Sequence, residues 1–358
     1  MPSRHGKEIK DFIIHTIPNH PRDVVRIVSK QFGVSRQAVN RHIRELLAEG
    51  YITAEGKTRQ REYALRVVRD KNFTVPLAGL AENQVWRAEV EPVLNDLPRN
   101  VLDIWHYGFT EMVNNAIDHS AGHFLTVDIK MNPLTTMVSV HDDGIGIFRK
   151  IKEELHLEDE RHAVLELAKG KLTTDPDKHT GEGIFFTSRM MDDFAILSGD
   201  VFFSHEHDEE EDWILERDRP ATGTSVFMNL ANNSQRTDQE VFDRFASDAE
   251  DYGFTRTVVP VRLARHGAEK LVSRSQAKRL LARVDRFKTV ILDFKEVDSI
   301  GRAFADEIFR VFERNNPGIH LITTNTVPEV EKMIALARRN GEEGVVASPA
   351  NQEDKKNK

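Results

Sequence analysis

The residues best placed to do chemistry lie on a helix predicted over residues 109–120, FTEMVNNAIDHS. Glu111, Asn115 and His119 recur at every fourth position, so a helix presents them on one face. A carboxylate at Glu111 can accept a proton from water, and the amide oxygen of Asn115 can bind a hard cation such as Mg²⁺. The same spacing is common on exposed helix faces, which leaves a plain surface role open.

A second motif, DDGIG, follows directly after a strand predicted from the β-branched run VSV. Asp142 places an acceptor at the end of this strand, and Gly144 and Gly146 let a ring system approach the backbone closely. The carboxylate can accept a hydrogen bond from an exocyclic amine such as that of adenine. Taken alone, the motif is equally typical of an ordinary turn.

A third motif, HTGEG, precedes another predicted helix. Gly181 and Gly183 open that helix, whose free N–H groups and dipole are suited to holding phosphate groups. Lys178 and Thr180 stand just before it. Singly, these glycines also fit an ordinary turn, so the order of the three motifs decides their interpretation.

That order, completed by Gly223 and Thr224 before a final strand SVFMNL, resembles the GHKL ATPase superfamily over residues 75–232. The superfamily includes gyrase, the ninety-kilodalton heat-shock chaperones, sensor histidine kinases and mismatch-repair ATPases. The resemblance implies a Bergerat-type α/β sandwich that binds ATP and Mg²⁺, with residues 148–180 as the ATP lid. Phe185 stands where a third glycine is often found.

The resemblance also implies a role for each motif residue. Glu111 corresponds to the catalytic or Mg²⁺-organising acid, and Asn115 to the Mg²⁺ ligand. Asp142 corresponds to the acid that reads adenine, and Thr224 to the hydroxyl that assists it. The glycines beneath the nucleotide, and the residues of the phosphate loop, correspond to Gly144 and Gly146, and to Lys178, Thr180, Gly181 and Gly183.

The reaction itself stays open between several possibilities. Residues 71–100, expected to form a polar connection and a helix over Gln84–Leu94, contain no histidine that a sensor kinase could phosphorylate. An ATP-hydrolysing switch and a serine protein kinase of the anti-sigma type, acting on a separate STAS protein, are the enzyme alternatives. A non-catalytic ATP-binding adaptor is the third.

Residues 205–212, HEHDEEED, are predicted to form the solvated tip of a strand pair, with a metal site as the alternative.

The N-terminal residues 1–70 have a charge opposite to that of the remaining chain. They hold 14 Lys and Arg against 8 Asp and Glu, whereas the other 288 residues carry a net charge of −14. A helix that begins after Ser35 buries one apolar stripe. Its opposite face carries residues that hydrogen-bond bases and phosphates, namely Arg36, Gln37, Asn40, Arg41 and Arg44.

Two short strands, Tyr51–Ala54 and Arg61–Leu65, follow that helix. The tip between them carries Lys57 and Arg59. This arrangement resembles the winged helix-turn-helix of bacterial transcription regulators and implies DNA as a partner. A small helical interaction domain with a solvated basic face is the alternative.

The C-terminal part alternates strands and helices. Strands TVVPVRLA, TVILDF and IHLITT are separated or followed by helices predicted over Ala268–Arg286, Arg302–Asn315 and Pro328–Arg339, which implies βαβ units. The stretch LDFKEVDSIGRAFADEIFRVF resembles STAS-type domains, and implies a regulatory protein as a partner. Ala303 stands near the position of their phosphorylated serine, with Ser299 close by.

Composition limits the remaining choices. The chain of 358 residues has no cysteine, which excludes disulfides, a cysteine nucleophile and thiolate metal sites. It has no apolar run of membrane-spanning length, so we expect a soluble, cytoplasmic protein. We predict an α/β multi-domain chain: a winged helix-turn-helix at 1–70, a Bergerat α/β sandwich at 71–240, a STAS-like βαβ domain at 250–345 and a disordered tail at 346–358. Its expected function is transcription regulation switched by binding or hydrolysis of Mg-ATP, with homodimerisation left open.

Overall fold

The computed structural model describes residues 4–57, 60–172, 181–206, 212–248, 251–265 and 269–346. The chain forms two compact units, each built from separate stretches of sequence. Unit 1 comprises Met1–Ile147, Phe186–Asp208 and Glu216–Asp238, and unit 2 comprises Phe148–Phe185, Glu209–Leu215 and Gln239–Lys358.

Unit 1 begins with three helices and a hairpin. Their bounds are α1 (Arg4–Thr16), α2 (Val24–Phe32), α3 (Arg36–Ala48), β1 (Ile52–Glu55) and β2 (Glu62–Leu65). The predicted apolar stripe of α3 contributes Val39, Ile43 and Leu46 to a buried cluster with α1, α2 and the hairpin. As predicted, Ser35 caps α3, because its Oγ accepts a hydrogen bond of 3.2 Å from the Ala38 N–H.

A five-stranded sheet forms the rest of unit 1. Its strands are β3 (Arg69–Pro76), β4 (Phe124–Met131), β5 (Thr135–Asp142), β6 (Asp193–Glu206) and β7 (Asp212–Ala231), in the order β3-β4-β5-β7-β6. Strands β3, β4, β5 and β7 pair antiparallel. The β5–β7 register places Asp142 directly opposite Thr224, so two residues predicted to share a site are neighbours in the sheet.

Helices cover one face of this sheet. The longest is α6 (Arg99–His119), preceded by α4 (Glu82–Val85), which continues through a π-helical turn at Trp86–Val90 into α5 (Glu91–Leu94). Trp105 and Phe109 of α6 are fully buried, as are the inward residues Leu125 and Val127 of β4. A Cβ built on Gly108 would lie 3.7 Å from the Met228 sulfur of β7, which shows how closely α6 approaches the sheet.

Strand β3 extends into residues 71–100, where the sequence predicted a polar connection, and that prediction was wrong for residues 71–76. The strand pairs with β4 along its whole length, Arg69 opposite Met131 and Pro76 opposite Phe124. Its first two half-buried positions hold long cationic side chains, Arg69 and Lys71, and the next two hold Phe73 and Val75. Lys71 Nζ donates to the Glu89 carbonyl oxygen at 2.8 Å. Because cationic side chains take the first two positions, the apolar alternation is only two residues long and gives a weak strand signal.

Unit 2 contains the predicted parallel sheet. Its strands are β10 (Arg256–Pro260), β11 (Thr289–Asp293) and β12 (His320–Thr324), in that order. Both pairs are parallel, with Val258, Ile291 and Ile322 aligned in one row. A two-stranded pair, β8 (Ala246–Asp248) and β9 (Asp251–Phe254), precedes the sheet.

Three helices of unit 2, those after residue 268, were predicted, and they are present with shifted ends. Helix α7 (Ile147–Leu155) starts at the last residue of a unit 1 stretch, and α9 (Gly183–Met190) starts in unit 2 and ends in unit 1. The other helices are α8 (Glu160–Lys169), α10 (Asp238–Phe245), α11 (Arg274–Leu281), α12 (Arg302–Asp306), α13 (Glu313–Asn315) and α14 (Pro328–Val346). A π-helical turn at Glu307–Phe312 joins α12 to α13. The predicted strand TVVPVRLA ends at Pro260, after which Val261–Ala264 forms a 3₁₀ turn. Within the described ranges, none of the helices has the length and apolar character needed to cross a bilayer.

Candidate functional site

The predicted base-reading face lies on α3. We call it the recognition face: Arg36, Gln37, Asn40, Arg41 and Arg44, all of them exposed. Arg44 Nε donates to the Asn40 carbonyl oxygen at 3.3 Å, and Arg41 Nε lies 3.8 Å from Glu45. These are weak surface contacts, so the guanidinium groups keep most of their donors for a ligand.

The hairpin that follows α3 supplies a second basic element. Lys57, at its tip, is exposed. Arg59, the other predicted contact, lies outside the described residues. Gly50 and Gly56 have positive φ angles of 78° and 76°, which only glycine adopts readily, and they set the two turns that frame β1.

Asp142 is the centre of the predicted nucleotide site. Its Oδ1 accepts hydrogen bonds from the backbone N–H groups of Gly144 at 2.9 Å and Thr224 at 3.3 Å. Burial raises the pKa of the Asp142 carboxyl, and these hydrogen bonds oppose the rise. Among the described residues no cation pairs with the carboxylate. It therefore retains acceptor capacity in a partly desolvated place.

The neighbouring carboxylate, Asp143, is held differently. Its Oδ1 accepts from the backbone N–H groups of His123 at 2.6 Å and Phe124 at 2.9 Å. These bonds lower the pKa of the Asp143 carboxyl. Asp143 is exposed and fastens the turn to the start of β4, so the two adjacent acids have opposite electrostatic surroundings.

The glycines of the second motif are required by the chain itself. A Cβ on Gly144 would lie 2.1 Å from the Ser120 carbonyl oxygen, which accepts from the Ile145 N–H at 2.9 Å. Gly146 has a φ of +90°, and a Cβ on Gly223 would lie 1.9 Å from the Asp142 carbonyl oxygen. The turn is thereby fastened to the end of α6 at Ser120 and to the start of the paired segment of β7.

Glu111 and Asn115 lie on α6 as predicted, and both are half-buried. The Nδ2 atom of Asn115 is buried and has no hydrogen-bond partner within the described part of the chain. A buried amide group without a partner is uncommon in folded proteins and points to a ligand. Thr224, at 6% exposure, accepts a hydrogen bond from the Ile147 N–H through its Oγ1 at 3.0 Å.

The third motif is partly visible. Helix α9 begins at Gly183, as predicted. Gly181, with a φ of +72°, accepts from the Leu172 N–H at 3.1 Å, and a Cβ there would lie 2.4 Å from the Leu172 backbone. Lys178 and Thr180 lie outside the described residues. Both glycines belong to unit 2, whereas the Asp142 and Asn115 groups belong to unit 1.

One polar residue near the Asp142 turn, Ser198, is not part of any of the sequence motifs. Ser198 on β6 is 1% exposed, and its Oγ has no partner among the residues described. The sequence signal for this residue was a serine at an inward position of a strand whose previous inward residues are Phe194 and Ile196.

The acidic stretch 205–212 was predicted to be the tip of a strand pair. Strands β6 and β7 are neighbours in the sheet, but residues 207–211 lie outside the described ranges. No group of three or more His, Asp or Glu residues in the described ranges could hold a metal ion.

Comparison with models of protein families gives two matches. Residues 25–53 match a winged helix-turn-helix DNA-binding family, over most of α2, the whole of α3 and the start of β1. Residues 276–331 match a STAS-like domain of unknown function (DUF4325), over α11 to the start of α14. The chain carries a winged helix-turn-helix and a STAS-like domain. Two of the three resemblances stated from the sequence are thus confirmed, and the winged helix-turn-helix indicates a DNA-binding regulator.

The matched ranges leave the five-stranded sheet outside them, so the GHKL resemblance stays a prediction. A comparison with proteins of curated function finds no match.

In the STAS-like domain, Ser299 and Ala303 are exposed before and within α12. Asp306, the last residue of α12, pairs with Arg310 one turn later, at 2.7 Å between Oδ2 and Nη2. This pairing lowers the pKa of the Asp306 carboxyl. The acid therefore has a local structural partner.

Proposed function

We propose that the protein is a DNA-binding regulator whose central sheet binds Mg-ATP, and that ATP binding changes how the winged helix contacts DNA. The observation that carries the DNA part is the recognition face, five exposed polar or cationic residues on a capped helix of a matched DNA-binding domain. Arginine and asparagine can form paired hydrogen bonds with guanine and adenine in the major groove. A lysine at the wing tip, Lys57, would contact the phosphate backbone.

The DNA proposal is tested by selecting duplexes from a randomised pool with the full chain, then measuring fluorescence anisotropy. Asn40→Ala and Arg41→Ala should each relax preference at one base position by about 1–3 kcal/mol. Lys57→Ala should weaken all duplexes alike and lower the slope of log affinity against log salt by about one unit. Arg87→Ala, an exposed arginine outside this domain, is the control. A chain that binds no duplex at low salt contradicts the proposal.

The ATP part is carried by Asp142. A partly desolvated carboxylate that keeps acceptor capacity, with no cation among its described neighbours, fits the exocyclic amine of adenine. Asn115 and Glu111, one helical turn apart, would hold the Mg²⁺ ion and its water. The buried Nδ2 of Asn115, which has no partner among the described residues, would donate a hydrogen bond to a phosphate oxygen of the same ligand. ATP bound there would supply a transferable phosphoryl group.

Asp142 and Asp143 make a matched pair for testing this. Asp142→Asn should weaken ATP binding by about 1.5–3 kcal/mol, roughly one to two decades in Kd, because it replaces a charged acceptor. Asp143→Asn should leave the Kd unchanged, since that carboxylate is engaged by the N–H groups of His123 and Phe124. Isothermal titration calorimetry with Mg-ATP measures both. Equal losses in the two variants would argue against a direct role for Asp142.

The fate of the bound ATP separates three functions. Hydrolysis releases labelled phosphate, a serine kinase transfers the label to a separate STAS protein, and an adaptor does neither. If the protein hydrolyses ATP, Glu111→Ala should retain binding and lose about two to four decades in rate, as expected when a group that accepts a proton from water is removed. Assays with γ-labelled ATP, with and without STAS proteins, measure this. Unchanged hydrolysis in Glu111→Ala would remove the catalytic assignment.

A further inference from the structure

Ser198 is a buried hydroxyl that no established role in this fold explains. It is 1% exposed, and its Oγ has no hydrogen-bond partner in the described part of the chain. The inward row of β6 is otherwise apolar up to that point, with Phe194 and Ile196 before it. Because a desolvated hydroxyl without a partner is unfavourable, the residue points to a ligand as its partner.

The position of Ser198 is beside the turn that carries Asp142. A Cβ built on Gly146 would lie 2.6 Å from Ser198 Oγ and 3.4 Å from the Gly223 carbonyl oxygen. Because residue 146 is glycine, the Ser198 hydroxyl can lie directly against its Cα atom. Gly223 precedes Thr224, whose N–H donates to Asp142 at 3.3 Å. Ser198, Gly146 and the Asp142–Thr224 pair thus border one small region within unit 1.

We propose that Ser198 is a nucleobase-binding residue, whose hydroxyl donates a hydrogen bond to a ring nitrogen of adenine while Asp142 accepts from the exocyclic amine. This rests on the proposed binding of ATP. The edge of adenine presents a donor beside an acceptor, which complements a carboxylate and a hydroxyl. Guanine presents a carbonyl oxygen and an N–H at the corresponding positions, so its pattern is reversed against Asp142.

The test is calorimetry on the full chain with Mg-ATP, Mg-GTP and Mg-tripolyphosphate, for wild type and Ser198→Ala. The variant should raise the Kd for ATP about three- to tenfold, as for one lost hydrogen bond. Affinity for tripolyphosphate, which has no base, should be unchanged. The melting temperature without nucleotide should be unchanged or higher, because alanine removes a hydroxyl that lacks a partner in the described structure.

Thr187→Val is the matched control. Thr187 is fully buried and its Oγ1 also lacks a described partner, but its methyl group lies 3.1 Å from a Cβ built on Gly108, among methionine side chains. Its ATP affinity should equal that of wild type. Equal ATP affinity in Ser198→Ala and wild type overturns the inference alone, as does an equal loss for ATP and tripolyphosphate. A wild-type chain that binds no ATP overturns the proposed function and the inference together.

Discussion

Asp142 in unit 1 and Lys169 in unit 2 are both ionisable groups with reduced access to water, but Asp142 is half-buried, Lys169 is fully buried, and their hydrogen-bond partners differ. Lys169 is 1% exposed, and its ammonium donates to Glu166 at 2.8 Å and to the carbonyl oxygens of Arg279 at 3.0 Å and Ala282 at 2.9 Å. All three of its donors are used. Asp142 accepts hydrogen bonds from two backbone N–H groups and from the Thr224 side chain, and it has no cation within the described structure.

This difference in hydrogen-bond partners distinguishes a charge that stabilises the fold from a charge that can bind a ligand. A buried charge whose hydrogen-bonding capacity is filled can only hold its partners together, and Lys169 ties α8 to the carboxyl end of α11. The Lys169 carbonyl oxygen also accepts from the Thr257 hydroxyl at 2.6 Å. Thus α8, within the stretch predicted as an ATP lid, is fastened to the STAS-like part of unit 2. A half-buried carboxylate with spare acceptor capacity is instead suited to binding a ligand.

The largest expected effect is the loss of stability in Lys169→Met. The variant leaves the carbonyl oxygens of Arg279 and Ala282 without their donor and Glu166 with one cation fewer. Breaking a buried ion pair by removing one partner costs about 3–5 kcal/mol. Hydrogen exchange of the α8 and α11 amides, measured by mass spectrometry, should show faster opening in both helices.

Lys270→Met is the control for this variant, because Lys270 is an exposed lysine of the same unit. Its effect should stay within about 0.5 kcal/mol. ATP affinity measures the other side of the comparison: if Lys169→Met kept wild-type protection of α8 and α11 but lost ATP binding, Lys169 would be a ligand-binding group and the distinction would be wrong.

The sequence predicts those parts of the fold and the site that are determined by residues close together in the chain. The start of helix α3 was predicted to the residue, because its cap Ser35 and its apolar stripe lie within the segment itself. The turn at Asp142 and its pairing with Thr224 agree with the strand and glycine patterns. The Lys169 cluster was not predicted, because its carbonyl partners lie more than 100 residues away and any residue type can supply them. Strand β3 was missed because only two of its four half-buried positions are apolar.

A smaller effect is expected in the pH dependence of stability of two adjacent acids. Burial raises the pKa of Asp142, so its contribution to stability is present in acid and is lost as the pH rises through the folded-state pKa. Hydrogen bonds from Phe124 and His123 lower the pKa of Asp143, so its contribution is present near neutrality and is lost as the pH falls through its folded-state pKa.

The two asparagine variants should therefore diverge from wild type in opposite directions. From acid towards neutral pH, Asp142→Asn should gain stability relative to wild type, and Asp143→Asn should lose it. Urea denaturation of the nucleotide-free chain at a series of pH values measures both differences. Parallel curves for Asp142→Asn and wild type would mean that Asp142 is not desolvated, which would weaken its assignment as a poised acceptor.

The smallest expected effect concerns the outer partner of the Lys169 cluster. Arg283 lies 3.2 Å from Glu166 but is 30% exposed, whereas Lys169, on the same carboxylate, is 1% exposed. Solvent screens the Arg283 charge and can replace its hydrogen bonds, so Arg283→Ala should cost only about 0.2–1 kcal/mol. In a double-mutant cycle with Glu166→Gln, the coupling energy to Arg283 should be well below that to Lys169. Equal coupling energies would mean that charge alone, and not the filling of buried hydrogen-bonding capacity, sets the strength of this cluster. Charge, and not hydrogen-bonding capacity, would then also be the property by which Lys169 and Asp142 should be compared.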